Sequence, residues 1–92
     1  MYCNDNELIK LDKFPKTLQE LWCDNNKLSC ITNLPRRLRI LGCENNLLTE
    51  LDYLPPTIKI LYNSNNPFNY DFIPTYKNIR KYNATRKLSS NV

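Results

Sequence analysis

Residues 18–35 read LQELWCDNNKLSCITNLP, and the features of this stretch return along the chain at a fixed step. Cys3, Cys23 and Cys43 lie 20 residues apart, and so do Asn6, Asn26, Asn46 and Asn66. Pro15, Pro35 and Pro55 keep the same spacing, as do Leu21, Leu41 and Leu61. A period of this size marks a structural unit that cannot bury its apolar side alone and therefore stacks on its neighbours.

Within the unit, Leu21-Trp22-Cys23 alternates as a half-buried strand does, with Leu21 and Cys23 inward and Trp22 outward. Asp24-Asn25-Asn26 turns the chain, since Asn and Asp side chains bond nearby backbone. Leu28, Ile31 and Leu34 return with inward side chains, and Pro35 keeps the return leg from becoming a helix. The next unit repeats this with Leu38, Leu41, Cys43, Asn46, Leu48, Leu51, Leu54 and Pro55. In the third, Ile58, Leu61, Asn66 and Phe68 keep phase while Asn63 takes the cysteine position. One extra residue follows, so that Ile79, Tyr82 and Ala84 fit a further strand at a step of 21. The expected division is a single domain over 1–92. It comprises a partial repeat at 1–17, repeats at 18–37, 38–57 and 58–78, and a partial repeat with a basic tail at 79–92. Residues 88–92 read as a frayed end.

The pattern L-x-x-L-x-C-x-x-N-x-L resembles a leucine-rich repeat. Leu18, Leu21, Cys23, Asn26 and Leu28 carry it once, and Leu38, Leu41, Cys43, Asn46 and Leu48 carry it again. The Leu-Pro-x-x-Leu link and the short period are similar to the leucine-rich repeats of bacterial effectors, which hold host proteins. Pro67-Phe68-Asn69 with Ile73-Pro74 is similar to the FNIP repeats of amoebae and giant DNA viruses. The resemblance implies an α/β-type solenoid that is mostly β. It would be a right-handed coil with short parallel strands on the concave face, an extended or 3-10 convex side and no long helix. It also implies a binding protein, with a viral or pathogen protein acting on host proteins as the expected setting. The ubiquitin-ligase domain of some such effectors has no room here. Independently, parallel strands require a crossover, which each return leg supplies. Asn6, Asn26, Asn46 and Asn66 are expected to satisfy buried backbone groups in the turns.

Composition and charge exclude several classes. The chain has 92 residues, 41% of them hydrophobic, and a single glycine. That suits one small globular domain. The formal charge of +4 is uneven. Lys77, Arg80, Lys81, Arg86 and Lys87 follow one another with no acidic residue between them, whereas residues 1–75 carry eight basic and nine acidic side chains. A basic terminus of this kind is either a solvated tail or a contact for nucleic acid, and the first reading is favoured. No apolar run approaches the roughly 20 residues of a membrane span. No signal peptide is visible, so the expected location is cytoplasmic, with the cysteines as thiols.

Catalysis finds little support. Histidine is absent, and with it the usual general base. There is no glycine-rich phosphate loop. Asp24 and Glu44 occupy matching turn positions and read as solvated carboxylates rather than an acid/base pair or cation site. Cys3, Cys23 and Cys43 form one inward column that cannot close a tetrahedral metal site and fills an apolar slot instead. The expectation is a non-enzymatic protein with no metal or cofactor.

The outward strand positions are more informative. One column reads Tyr2, Trp22, Gly42, Tyr62 and then Asn83, with Gly42 as a gap between the aromatic rings. The next reads Glu20, Ile40, Ile60 and Lys81, beside a basic edge of Gln19, Arg39, Lys59 and Arg80. Asp5, Asp24 and Glu44 form an acidic edge on the turn side. Exposed aromatic and isoleucine columns are characteristic of binding anchors. The first reading is a protein partner held by Tyr2, Trp22, Tyr62, Ile40 and Ile60, with Glu20, Arg39 and Lys59 at its border. The alternative is self-association, as a homodimer through the bare N-terminal strand or the concave face. The weakest reading is single-stranded nucleic acid at Arg39, Lys59, Arg80, Lys81 and the tail.

Overall fold

The recurring Leu-x-Cys alternation becomes a row of short parallel strands in the computed structural model, which describes residues 1–89. The described elements are β1 (Lys10–Leu11), β2 (Glu20–Trp22), β3 (Cys30–Ile31), β4 (Ile40–Gly42), β5 (Ile60–Tyr62) and α1 (Tyr76–Ser89). Strands β2, β4 and β5 form a three-stranded parallel sheet in that order. Its register aligns Glu20 with Ile40 and Ile60, Leu21 with Leu41 and Leu61, and Trp22 with Gly42 and Tyr62. Tyr2 adds a bridge to Trp22 on the outer side of β2. On the return leg, β1 and β3 pair in parallel, Lys10 with Cys30 and Leu11 with Ile31.

Local chemistry explains how each unit closes. The amides of Leu18, Leu38 and Ile58 donate to the carbonyls of Pro15, Pro35 and Pro55, each at 3.2 Å. Every Pro-x-x-Leu or Pro-x-x-Ile link is thus a β-turn that brings the return leg back to the next strand. After the strand, Asp5, Asn25, Asn45 and Asn65 take φ values between 56 and 58°. Asn and Asp are the side chains that tolerate this left-handed conformation best after glycine. The twist points the amides of Asp5, Asn25 and Asn45 at the carbonyls of Asp24, Glu44 and Ser64, at 3.0, 3.0 and 3.1 Å.

Between the two sheets lies a thin apolar core. Leu21, Cys23, Leu28, Leu38, Leu41, Cys43 and Leu48 are fully buried, and Leu51 and Leu54 nearly so. Burial of one such leucine contributes about 1.5–3 kcal/mol, so the stack depends on many equivalent layers.

The expected fourth strand is instead a helix. Ile79, Tyr82 and Ala84 all lie on α1. The segment 76–89 contains no proline or glycine. Thr75 opens it as an N-cap, its hydroxyl accepting from the Asn78 amide at 3.2 Å. Tyr76, Ile79, Arg80 and Asn83 recur at the spacing of one helical face, and that face meets the body. Ile79 is fully buried. Tyr76 donates its hydroxyl to the Pro55 carbonyl, Arg80 its guanidinium to the Leu54 carbonyl, and Asn83 its amide to the Leu51 carbonyl. Phe68, Tyr70, Phe72 and Tyr82 complete the seal, with neighbouring ring centroids 4.7 to 5.6 Å apart. It is the strand expected at Ile79, Tyr82 and Ala84 that this one short helix of 14 residues corrects. Of the frayed end expected at 88–92, residues 90–92 lie outside the described residues.

Candidate interaction surface

The outer face of the sheet is built by alternation. Leu21, Leu41 and Leu61 point to the core, so their neighbours on either side point away. This brings Glu20, Ile40 and Ile60 into one row and Tyr2, Trp22, Gly42 and Tyr62 into the next. Tyr2 is 77% exposed, Tyr62 45% and Ile60 40%, while Ile40 and Trp22 are half-buried. Arg39 and Lys59 are exposed one residue before Ile40 and Ile60, and their backbones are tied by the Lys59 amide donating to the Arg39 carbonyl.

The position of Gly42 is not a gap. The Trp22 ring leans across it, so that a Cβ at residue 42 would stand 2.6 Å from Trp22 Cε3. Glycine here makes room for an indole. Trp22 therefore stacks with Tyr62 at 5.8 Å and with Tyr2 at 6.4 Å, the latter pair within 2° of parallel. Stacked aromatic pairs contribute roughly 0.5–1.5 kcal/mol beyond area burial. Glu20 holds the ring in place, its carboxylate accepting from Trp22 Nε1 at 3.2 Å. Tyr2, Trp22 and Tyr62 thus form one continuous ladder of rings.

Three expected members belong elsewhere. Arg80, Lys81 and Asn83 do not continue the strand columns, because they lie on α1. Arg80 sits 5.9 Å from the Tyr76 ring centre and donates to the Leu54 carbonyl. The basic edge of the sheet face is therefore Arg39 and Lys59.

The asparagines tie the turns together. Asn26 accepts from the amides of Asn6 and Leu8 and donates to the carbonyls of Cys3 and Cys23. Asn46 accepts from Leu28 and donates to Cys23, Cys43 and Glu44. Asn66 repeats the pattern with Leu48, Cys43 and Asn63. Asn6 is exposed and donates to Cys3 and Asn4 within its own unit. Where the cysteine column ends, Asn63 donates to the Pro74 carbonyl at 2.7 Å and anchors the chain before α1.

The three thiols of the inward column are poorly placed for nucleophilic work. Burial pushes the Cys23 thiol up to about 12 and the Cys43 thiol well above its ordinary range, with the neighbouring thiols adding to the effect. Cys3, half-buried, is raised by the same cause. Cys23 donates its thiol to the Gly42 carbonyl at 3.3 Å. A thiol held protonated is neither a nucleophile nor a metal ligand. On the turn side, Ser64 donates to the Glu44 carboxylate, and Asn25 donates to those of Asp5 and Asp24. Among the described residues no group of three or more His, Cys, Asp or Glu could hold a metal ion, and no helix is long and apolar enough to cross a membrane.

Gly42 and the α1 face were the features that spacing arguments missed. The signal for the first was a lone glycine beside a lone tryptophan in adjacent repeats. The signal for the second was the i, i+3, i+4, i+7 order of Tyr76, Ile79, Arg80 and Asn83. The chain matches no family model, no curated protein and no solved structure.

Proposed function

We propose that the chain is a small right-handed coil of leucine-rich repeats that holds a protein partner on its concave face without catalysing a reaction. One observation carries this reading. The ring ladder of Tyr2, Trp22 and Tyr62, with Ile40 and Ile60 beside it, stands on the outer side of the sheet and leaves Tyr2, Tyr62 and Ile60 open to water. Exposed apolar surface of this kind is costly unless something covers it. The Trp22 ring is also preorganised by Glu20 and by the room over Gly42, so it loses little rotamer freedom on binding. Arg39 and Lys59 at the border favour an acidic partner segment with one or two apolar anchors.

Selection from a displayed library of random peptides tests this. Enriched peptides should combine carboxylates with an apolar anchor, and Tyr62→Ala should weaken them about tenfold or more, as loss of an interface hot spot does. Tyr62 is exposed, so this variant keeps the core intact. Absence of enrichment, or binding unchanged in Tyr62→Ala, overturns the assignment.

A further inference from the structure

Strand β5 stands at the end of the order β2-β4-β5. The Ile60 amide donates to the Arg39 carbonyl at 3.2 Å, and the Cys43 amide donates to the Tyr62 carbonyl at 2.8 Å. Alternate residues of a parallel strand turn both backbone groups to the same side, so Ile60 and Tyr62 serve β4. Leu61 between them turns its N–H and C=O away from the sheet, where no described residue pairs with them. Helix α1 seals the return leg that precedes β5 rather than this edge, since its Tyr76, Arg80 and Asn83 reach the carbonyls of Pro55, Leu54 and Leu51.

A cleft of about 480 Å³ lies beside that edge, with Leu61, Asn63, Ile73, Pro74 and Tyr76 in its lining. The chain that passes here is held off the strand. The Asn63 side chain donates to the Pro74 carbonyl at 2.7 Å, and the Thr75 amide donates to the Ile73 carbonyl at 2.8 Å in a tight turn. Pro74 has no N–H to offer a neighbouring strand. The turn leaves Ile73 76% exposed, and Leu61 is half-buried where its counterparts Leu21 and Leu41 are fully buried. The edge thus combines open backbone groups with an apolar slot. Such an edge is a template for a further strand unless charged side chains or proline blunt it, and Ile60-Leu61-Tyr62 carries neither. Charge selects the occupant. Residues 53–85 carry Lys59, Lys77, Arg80 and Lys81 against the single carboxylate of Asp71. The Glu44 carboxylate near the turn is engaged by the Ser64 hydroxyl. A second copy would bring the same positive excess to the same edge, whereas an acidic segment is drawn to it.

We propose that β5 receives an extended acidic segment of a partner protein as a further strand, which bonds the outward N–H and C=O of Leu61 and lodges one apolar side chain in the cleft lined by Leu61 and Ile73. Main-chain bonds supply the affinity of such strand addition, and the pocket for alternate side chains supplies its selectivity. The side chains on either side of the anchor stand on the outer face of the sheet beside Ile60 and Tyr62, where carboxylates lie in the field of Lys59. This rests on the edge of β5 and its cleft and is independent of what the concave face holds.

The probe is a short synthetic peptide with blocked ends, in which glutamate alternates with threonine around one central valine, carrying a fluorophore and titrated by anisotropy. It should bind the full chain. Ile73→Glu changes an exposed side chain, keeps the core intact and sets a like charge at the cleft, so it should weaken binding about tenfold or more. N-methylation of the peptide, one residue at a time, separates strand addition from attraction by charge alone. Only alternate residues of an added strand aim their N–H at β5. Affinity should therefore fall about tenfold at alternate positions around the valine and hold at the positions between them. No binding, equal effects of N-methylation at every position, or binding unchanged in Ile73→Glu overturns the proposal. So does a dimer of the free chain in sedimentation equilibrium that Ile73→Glu dissolves, because a second copy would then occupy the edge.

Discussion

Replacing Asn46 with alanine tests the physical account of the repeat most directly. The carboxamide is 5% exposed and reaches four backbone groups. It accepts from the Leu28 amide at 3.0 Å and donates to the carbonyls of Cys23, Cys43 and Glu44, each at 3.1 Å. The losses are unequal. The Cys23 carbonyl still accepts from Asn26, the Cys43 carbonyl from Asn66, and the Glu44 carbonyl from the Asn25 amide. The Leu28 amide, on a fully buried residue, loses its side-chain acceptor. An orphaned buried donor costs about 1–3 kcal/mol, and each weakened hydrogen bond adds on the order of 0.5–1 kcal/mol. The expected loss is therefore roughly 2.5–6 kcal/mol, a large share of the stability of a small domain. Asn6→Ala is the matched control. It removes only exposed bonds within one unit and should cost under about 1 kcal/mol. Urea unfolding followed by far-UV circular dichroism measures both. If Asn46→Ala and Asn6→Ala shift the midpoint equally, the buried amide is not what the asparagine serves.

Gly42→Ala drives a methyl group against Trp22 and should cost about 1–3 kcal/mol as overpacking does; a red shift in the emission of the single tryptophan reports ring displacement, and unchanged emission with unchanged stability refutes the contact. Asn45→Val places a β-branched residue at a φ of 57° and should cost about 1–2 kcal/mol, whereas Asn45→Gly should be nearly neutral; equal thermal midpoints for the two variants contradict the strain argument. The Cys23 thiol is raised from 9.0 to about 12, so above pH 9 the unfolded chain sheds a proton that the folded chain keeps. Stability is therefore fully present below that pH and should fall by up to about 1.4 kcal/mol per pH unit toward pH 12; a urea midpoint unchanged between neutral and strongly alkaline solution, after correction with a Cys23→Ala variant, refutes it.

The sheet was legible because its evidence was repeated. Leu21, Leu41 and Leu61 share one residue type at one step, and a parallel register of 20 follows wherever the link between strands has constant length. The turn asparagines were legible for the same reason. The helix was not, because Ile79 and Tyr82 stand three apart. That spacing satisfies both the Leu-x-x-Leu run of a repeat and one side of a helix. What separates the readings is the punctuation. Residues 76–89 lack the proline that breaks every earlier return leg and the Asn-Asn pair found at 25–26, 45–46 and 65–66 in the three preceding turns. The tryptophan was misjudged for a different reason. A column model assigns each residue its own space, whereas a large ring uses the space its neighbour leaves. The absence of a side chain at Gly42 was therefore information about Trp22.

The same consideration bears on the residues where the pattern loosens. A periodic unit presents to its successor the groups it presents to its predecessor, so nothing in the repeat itself can stop the stacking. Termination needs side chains that imitate a backbone. Tyr70 supplies an acceptor to the Leu51 amide, and Asn83, Arg80 and Tyr76 supply donors to the carbonyls of Leu51, Leu54 and Pro55. Each is a residue the repeat does not use at that place. The Asn63 substitution in the cysteine column belongs to this set, since its amide reaches the Pro74 carbonyl just ahead of α1, which a thiol could do only weakly. Departures from the period are therefore not decay of the pattern but the residues that close it.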